Sequence, residues 1–198
     1  MTVPKKYSKI NGKFDERLDY MTGRHSKTTF FRMDVRFPKD YPHDGTNDHF
    51  TDFLKLWKEP LTKKGIETQY VWGREQDTSE NPHYHVAVLV DGNRIQHVNR
   101  IVNDASKIWK GITASSKDGL IDYCSNYNGR KVSKEIWIKR PPSKKTGEEL
   151  IQLAQEFESG KEDVRYRAHY LGKARSKGNV PRGVREYGAS ELPKPRKW

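Results

Sequence analysis

Cysteine is nearly missing from this sequence: Cys124 stands alone in 198 residues. A single thiol excludes an internal disulfide framework and a cysteine-built zinc cluster. Cys124 lies in an apolar-looking stretch and reads as a small packed residue rather than a nucleophile. Apolar residues are also scarce, at 33%, and the mean hydropathy is −1.02. No apolar run approaches the ~18 residues that a membrane span needs. Met1 to Lys13 holds no apolar stretch of the kind a signal peptide carries, so the expected location is the cytoplasm, with no membrane partner. Acid is in deficit: 26 Asp and Glu face 38 Lys and Arg, for a net charge of +12. That excess favours a polyanionic partner such as nucleic acid. No Gly-x-x-x-x-Gly-Lys-Ser/Thr occurs, so the chain has no P-loop.

What the chain does have is periodicity of two kinds. Thr28 to Phe37 alternates, with Phe31, Met33 and Val35 on one face and Arg32, Asp34 and Arg36 on the other, the pattern of a half-buried strand. Thr46 to Leu61 repeats Phe50, Phe53, Leu54, Trp57 and Leu61 at helical spacing, behind a cap at Thr46 or Asn47. Glu67 to Gln76 reads as a second strand and His83 to Val90 as a third, joined by the polar Asp77 to Pro82. Asp91-Gly92-Asn93 ends the third with turn chemistry. Arg94 to Lys110 is the clearest amphipathic helix. Short strands are predicted at Gly119 to Cys124 and Glu135 to Ile138, a loop at Lys139 to Thr146, and helices at Glu148 to Glu158 and Lys161 to Lys177. This order argues for an α+β class, a central antiparallel sheet with flanking helices, rather than a βαβ array. The predicted division is a basic arm at 1–27 with room for one short helix, a domain at 28–177, and a basic tail at 178–198.

The strand His83-Tyr84-His85-Val86 sets two histidines two residues apart. Strand side chains alternate faces, so both imidazoles point the same way, a bidentate start for a divalent metal. The bland reading is that they pack or hydrogen-bond on a strand. Glu75, across the predicted hairpin, favours the metal: residues facing one another in an antiparallel pair share a face, and Glu75 completes a His, His, carboxylate set. That set, with positions left for substrate oxygens, suits Mg²⁺ or Mn²⁺. A regular strand turns Gln76 to the opposite face, whereas a bulge exchanges the two. Val86 to Val90 offers no carboxylate, against a cupin-type site, and the two His-x-Ser/Thr elements of a two-histidine phosphodiesterase are absent.

The last predicted helix contains Tyr166-Arg167-Ala168-His169-Tyr170-Leu171-Gly172-Lys173. At 100° per residue Tyr166, Tyr170 and Lys173 fall within about 60° of one another, apart from the stripe of Val164, Ala168 and Leu171. The pair is either two amphipathic tyrosines at a domain surface or a nucleophile with a cation one turn away. A free tyrosine has a pKa near ~10, so only about one part in a thousand is phenolate at pH 7. Attack on a phosphodiester then needs positive charge beside it, from a metal and from Lys173.

His83-Tyr84-His85 resembles the His-hydrophobe-His motif of the HUH endonucleases, and Tyr170-Leu-Gly-Lys173 their Tyr-x-x-Lys motif. Tyr166 with Tyr170 is similar to the two-tyrosine pattern of phage-type rolling-circle initiators, and Glu75 matches their third metal ligand. The context from Tyr70 to Gln76 and from Pro82 to Val86 resembles replication proteins of filamentous phages and related prophages, over roughly Thr28 to Lys177. The resemblance implies an HUH/RRM-like nuclease fold and a Mg²⁺- or Mn²⁺-dependent enzyme. Such an enzyme nicks single-stranded DNA at a replication origin and keeps the 5′ phosphate on tyrosine. It implies Tyr170 as the main nucleophile, with Lys173 beside it and Tyr166 either joining a second transfer or supporting the site. Without a P-loop, unwinding falls to a host helicase and extension to a host polymerase. A transposase or relaxase shares this chemistry, and a non-catalytic DNA-binding protein shares the fold. Arg32, Arg36 and Arg74 are the expected DNA-binding residues, with Arg94, Arg100 and the loop of Lys139, Arg140, Lys144 and Lys145 as further phosphate contacts. Trp72 and Trp137 either stack bases or pack.

Overall fold

The computed structural model describes residues 5–76, 79–127, 129–172 and 180–194, with side chains from Lys9 onward. Its elements are α1 (Lys5–Arg24), β1 (Lys27–Arg36), α2 (Asp48–Lys63), β2 (Thr68–Glu75), β3 (His83–Asp91), α3 (Val98–Thr113), β4 (Ile121–Tyr123), β5 (Asn126–Tyr127), β6 (Arg130–Lys131), β7 (Glu135–Lys139), α4 (Gly147–Ala168), a 3₁₀ turn (His169–Gly172) and β8 (Tyr187–Ala189). The class is the expected one: an antiparallel six-stranded sheet with helices on both faces.

β1 and β3 form the centre because each carries apolar residues toward both faces. β2 pairs the far side of β3, and β8 closes the β2 edge. On the other side β1 has a split neighbour. β7 pairs its first half, Lys27 to Phe31, and β4 pairs Met33 to Val35. One face, with Phe31, Met33, Val35, Tyr84, Val86, Val88 and Val90, packs on α2 and α3 through Phe50, Phe53, Trp57, Val102, Ala105 and Trp109. Trp72 belongs to this core, and Trp137 is half-buried with the Lys27 ammonium over its ring.

The second face departs from expectation. The segment read as a basic arm is the twenty-residue α1, and Ile10, Phe14, Leu18 and Met21 bury on Phe30, Val71, Ala87 and Leu89. β1 is therefore covered on both sides rather than half-buried. The stripe of α1 has helical spacing, but each apolar residue stands among charged neighbours that mask it. Burying those four side chains contributes roughly 6–12 kcal/mol at about 1.5–3 kcal/mol each. α4 lies beside α1 and runs unbroken through Gly160, joining the two predicted C-terminal helices into one. It stops at Ala168, so Tyr170 stands on the 3₁₀ turn rather than on a helix. The segment read as a tail contributes β8 to the sheet.

Candidate metal centre and tyrosine

The face covered by α1 and α4 carries the site. In the β2–β3 pair Glu75 stands opposite His83, and in the β1–β3 pair Asp34 stands opposite His85. The strand is regular, so Glu75 faces the histidines, while Gln76 turns away and accepts a bond from Arg74 Nη2 at 3.2 Å. Glu75 Oε2 lies 3.5 Å from His83 Nε2 and 3.1 Å from His85 Nε2. One ligand atom from each residue falls within 4.8 Å of the others. Glu75 and His85 are buried, whereas the His83 side chain keeps 25% of its surface.

Asp34 completes the arrangement. Its Oδ1 lies 2.6 Å from His85 Nδ1. A carboxylate on the far nitrogen fixes the imidazole's orientation and turns Nε2 toward the other two ligands. That Nε2 is buried, with Glu75 Oε2 as its ionic neighbour at 3.1 Å. A buried imidazole nitrogen facing a carboxylate, beside a second imidazole, is a donor set that fits a divalent cation. Burial alone would lower the His85 pKa, but the carboxylates of Asp34 and Glu75 outweigh it and raise the pKa. Burial likewise pushes Asp34 up, and His85 with Arg32 brings it below the usual carboxylate range. In the metal-free fold His85 thus favours its proton, which a metal must displace.

A second cluster, Asp34 with Asp122 and Cys124, also brings ligand atoms together. Burial and Asp34 push the Cys124 thiol up to about 12. Cys124 is buried, as its packed position in the sequence suggested.

Tyr170 lies over this site. Its ring centroid is 5.5 Å from that of His85, edge to face at 86°. The Arg32 guanidinium sits 4.6 Å from the same ring and 3.5 Å from Asp34 Oδ1. Arg32 is therefore buried beside the tyrosine instead of lying on an open DNA-facing surface. Arg74 is buried too, on the opposite face, where it donates to the Gly45 carbonyl at 2.8 Å and to Asn47 Oδ1 at 3.0 Å, bracing the loop before α2. Arg36 is exposed, as expected. It is the cross-strand neighbour of His83, and with Lys39, Asn81, Pro82 and that histidine it lines a cleft of about 580 Å³. Tyr166 is at the end of α4 and 62% exposed, with its ring on Tyr127. Lys173 lies outside the described residues.

Sequence reasoning missed Asp34 as a partner and Tyr127 altogether. Asp34 had a signal, an acid inside a strand, but its meaning depends on the β1–β3 register. Tyr127 sits on a two-residue strand in a polar stretch and offers none.

Fold and site define a class: a layered α+β protein whose antiparallel sheet holds a buried Glu, His, His group beneath a tyrosine. Residues 5–190 match the YagK/YfjJ C-terminal domain model, and the chain belongs to that prophage-associated family. No curated protein and no solved structure matches it. The matched span takes in α1 and β8, the elements read from sequence as arm and tail. Among the described residues no helix is long and apolar enough to cross a membrane.

Proposed function

We propose that the protein is an HUH-type, Mg²⁺- or Mn²⁺-dependent endonuclease that nicks and rejoins single-stranded DNA to start rolling-circle replication. The observation that carries this reading is the Tyr170 ring resting 5.5 Å from the His85 ring, within a group that fits a metal. A packing tyrosine needs no such neighbour, and a structural metal site needs no tyrosine. Glu75, His83 and His85 would hold the cation, which when bound polarises a non-bridging phosphate oxygen. Tyr170 Oη attacks phosphorus, the bond from phosphorus to the 3′ oxygen breaks, and the phenolic proton passes through solvent to the departing 3′ hydroxyl. The 5′ phosphate stays on Tyr170, and a later 3′ hydroxyl reverses the step. Arg32 holds the ring and sets a positive charge against it. Arg36 and Lys39 guide the strand along the cleft to His83.

Initiation is favoured over transposition or conjugative transfer by the phage-like order and spacing of the motifs, together with a prophage-associated family. The working compartment is then the cytoplasm, with host helicase and polymerase acting on the nicked strand. The test uses single-stranded oligonucleotides tiling the DNA around the protein's own gene, incubated with Mn²⁺ and run on a denaturing gel. A covalent protein–DNA adduct is expected, absent in Tyr170→Phe and in Glu75→Gln. A retarded band on a native gel with no adduct at any metal concentration would instead establish a non-catalytic DNA-binding protein.

A further inference from the structure

Beside Tyr170 the surface carries a second pair of rings. Tyr127 and Tyr166 meet with centroids 4.9 Å apart at 58°, and the Tyr127 ring also lies 5.8 Å from that of Tyr170. The Tyr127 hydroxyl donates to the Tyr166 carbonyl at 2.9 Å, pinning the β5–β6 hairpin to the end of α4. Tyr166 is the most exposed of the large apolar side chains described. A ring held this openly loses apolar burial.

The neighbourhood is cationic. Arg130 stands opposite Tyr127 in the hairpin and Lys131 opposite Asn126, both exposed. Arg167, next to Tyr166, donates to the Ser133 carbonyl at 2.6 Å and so stays on this side of α4. Of the nearby acids, Glu162 is paired with Arg165 at 2.6 Å. An open tyrosine ring backed by a second ring and flanked by Lys and Arg matches one chemistry well, an unpaired base with its phosphates. A duplex hides its base faces, and an acidic peptide would use the cations but not the rings.

We infer that Tyr166, backed by Tyr127, forms a stacking step for an unpaired nucleobase of the single strand, next to the phosphate that Tyr170 attacks, with Arg130 and Lys131 on the adjoining phosphates. The inference deepens the proposed nuclease reading and rests on it for the substrate. It gives Tyr166 a binding role in place of a second nucleophile. The step orients the strand by one base, which sets the attacked bond relative to that base.

The experiment is fluorescence anisotropy in chelated buffer, which separates binding from any metal-dependent cutting. Two labelled oligonucleotides of equal length and charge are compared, one of ordinary bases and one with abasic sites at its centre. Wild type is expected to prefer the base-bearing strand about tenfold. Tyr166→Ala, at an exposed position, loses that preference while melting like wild type, and Tyr166→Trp restores it. Equal binding of both strands, binding of neither, or an undiminished preference in Tyr166→Ala overturns the inference. Adduct formation with Mn²⁺ is scored separately on wild type. A base preference without any adduct would sink the nuclease reading alone, and an adduct without a base preference would sink the stacking step alone.

Discussion

Asp34→Asn isolates what the second carboxylate contributes. The asparagine oxygen still accepts from His85 Nδ1 across the 2.6 Å gap, so shape and tautomer survive and only the charge is lost. A hydrogen bond to a charged partner is worth about 1.5–3 kcal/mol against about 0.5–1.5 for a neutral one, so the direct loss is about 1 kcal/mol. Removing an outer partner of a ligating histidine usually weakens metal affinity about 10- to 100-fold. Tenfold corresponds to about 1.4 kcal/mol of binding. At fixed saturating Mn²⁺ that lowers the metal-induced rise in Tm by roughly 3–6 °C for a domain of this size. Calorimetric titration with Mn²⁺ gives the affinity, and thermal melts with and without metal give the shift. Glu75→Gln is the control that abolishes both. If Asp34→Asn bound Mn²⁺ as tightly as wild type while Glu75→Gln did not bind, His85 would be oriented by its backbone and packing alone, and the assigned role of Asp34 would fail.

The metal's stabilising effect should also depend on pH. The raised His85 pKa means its contribution to the metal-free fold is fully present below about pH 6.5 and lost as pH rises through the folded value, while metal binding releases the proton; the Mn²⁺-induced gain in Tm is therefore expected to grow between about pH 6 and about pH 9, and a flat profile would refute it. Gly172→Ala sets a methyl 2.6 Å from Asn11 Oδ1, the tip of a side chain on α1 that can turn aside, so adduct yield should fall only modestly with Mn²⁺ affinity unchanged; loss of Mn²⁺ affinity would show that the tyrosine turn and the β2–β3 site move together. Ala114 ends α3 at φ 47°, where a side chain is strained, so Ala114→Gly is expected to stabilise by about 1 kcal/mol, or about 2–4 °C in Tm. Deleting residues 1–26 removes the stripe of Ile10, Phe14, Leu18 and Met21, a loss of the same order as the about 5–15 kcal/mol that holds a whole domain, so no cooperative melt should remain.

How far the sequence revealed the site follows from how local each part is. His83 and His85 share a face because strands alternate, and Glu75 joins them because one hairpin connects β2 to β3. Both facts are readable within a short window. Asp34 meets His85 from β1, across a long stretch of chain, and no local pattern fixes that register. Arg32 and Arg36 look alike by alternation, yet one is buried under Tyr170 and the other is open at the strand end. What separates them is the Tyr170 ring, which lies over Arg32, while Arg36 is the last residue of β1. Spacing sets Tyr166 and Tyr170 on one helical face, but α4 gives way to the 3₁₀ turn at Ala168; both rings meet Tyr127, and only Tyr170 reaches His85.

The elements that looked like appendages are the ones that hold the tyrosine in place. Asp15 on α1 lies 3.1 Å from His169 Nε2, at the start of the tyrosine turn, and Asp19 lies 3.2 Å from Lys161 Nζ on α4. Arg17, on the same helix, donates through Nε to the Ser190 carbonyl at 3.0 Å. Ser190 Oγ in turn accepts the Tyr70 amide at 3.0 Å, tying the residue after β8 to β2. Exposed ion pairs of this kind are each worth at most about 1 kcal/mol, so they do not hold α1 down. The apolar stripe does that, and the polar contacts fix the helix along its axis and set the turn against the sheet. The candidate metal ligands stand on the paired strands β2 and β3, whereas Tyr170 stands on a single 3₁₀ turn. The position of Tyr170 over His85 is therefore a property of α1 and the sheet edge as much as of the motif that contains it.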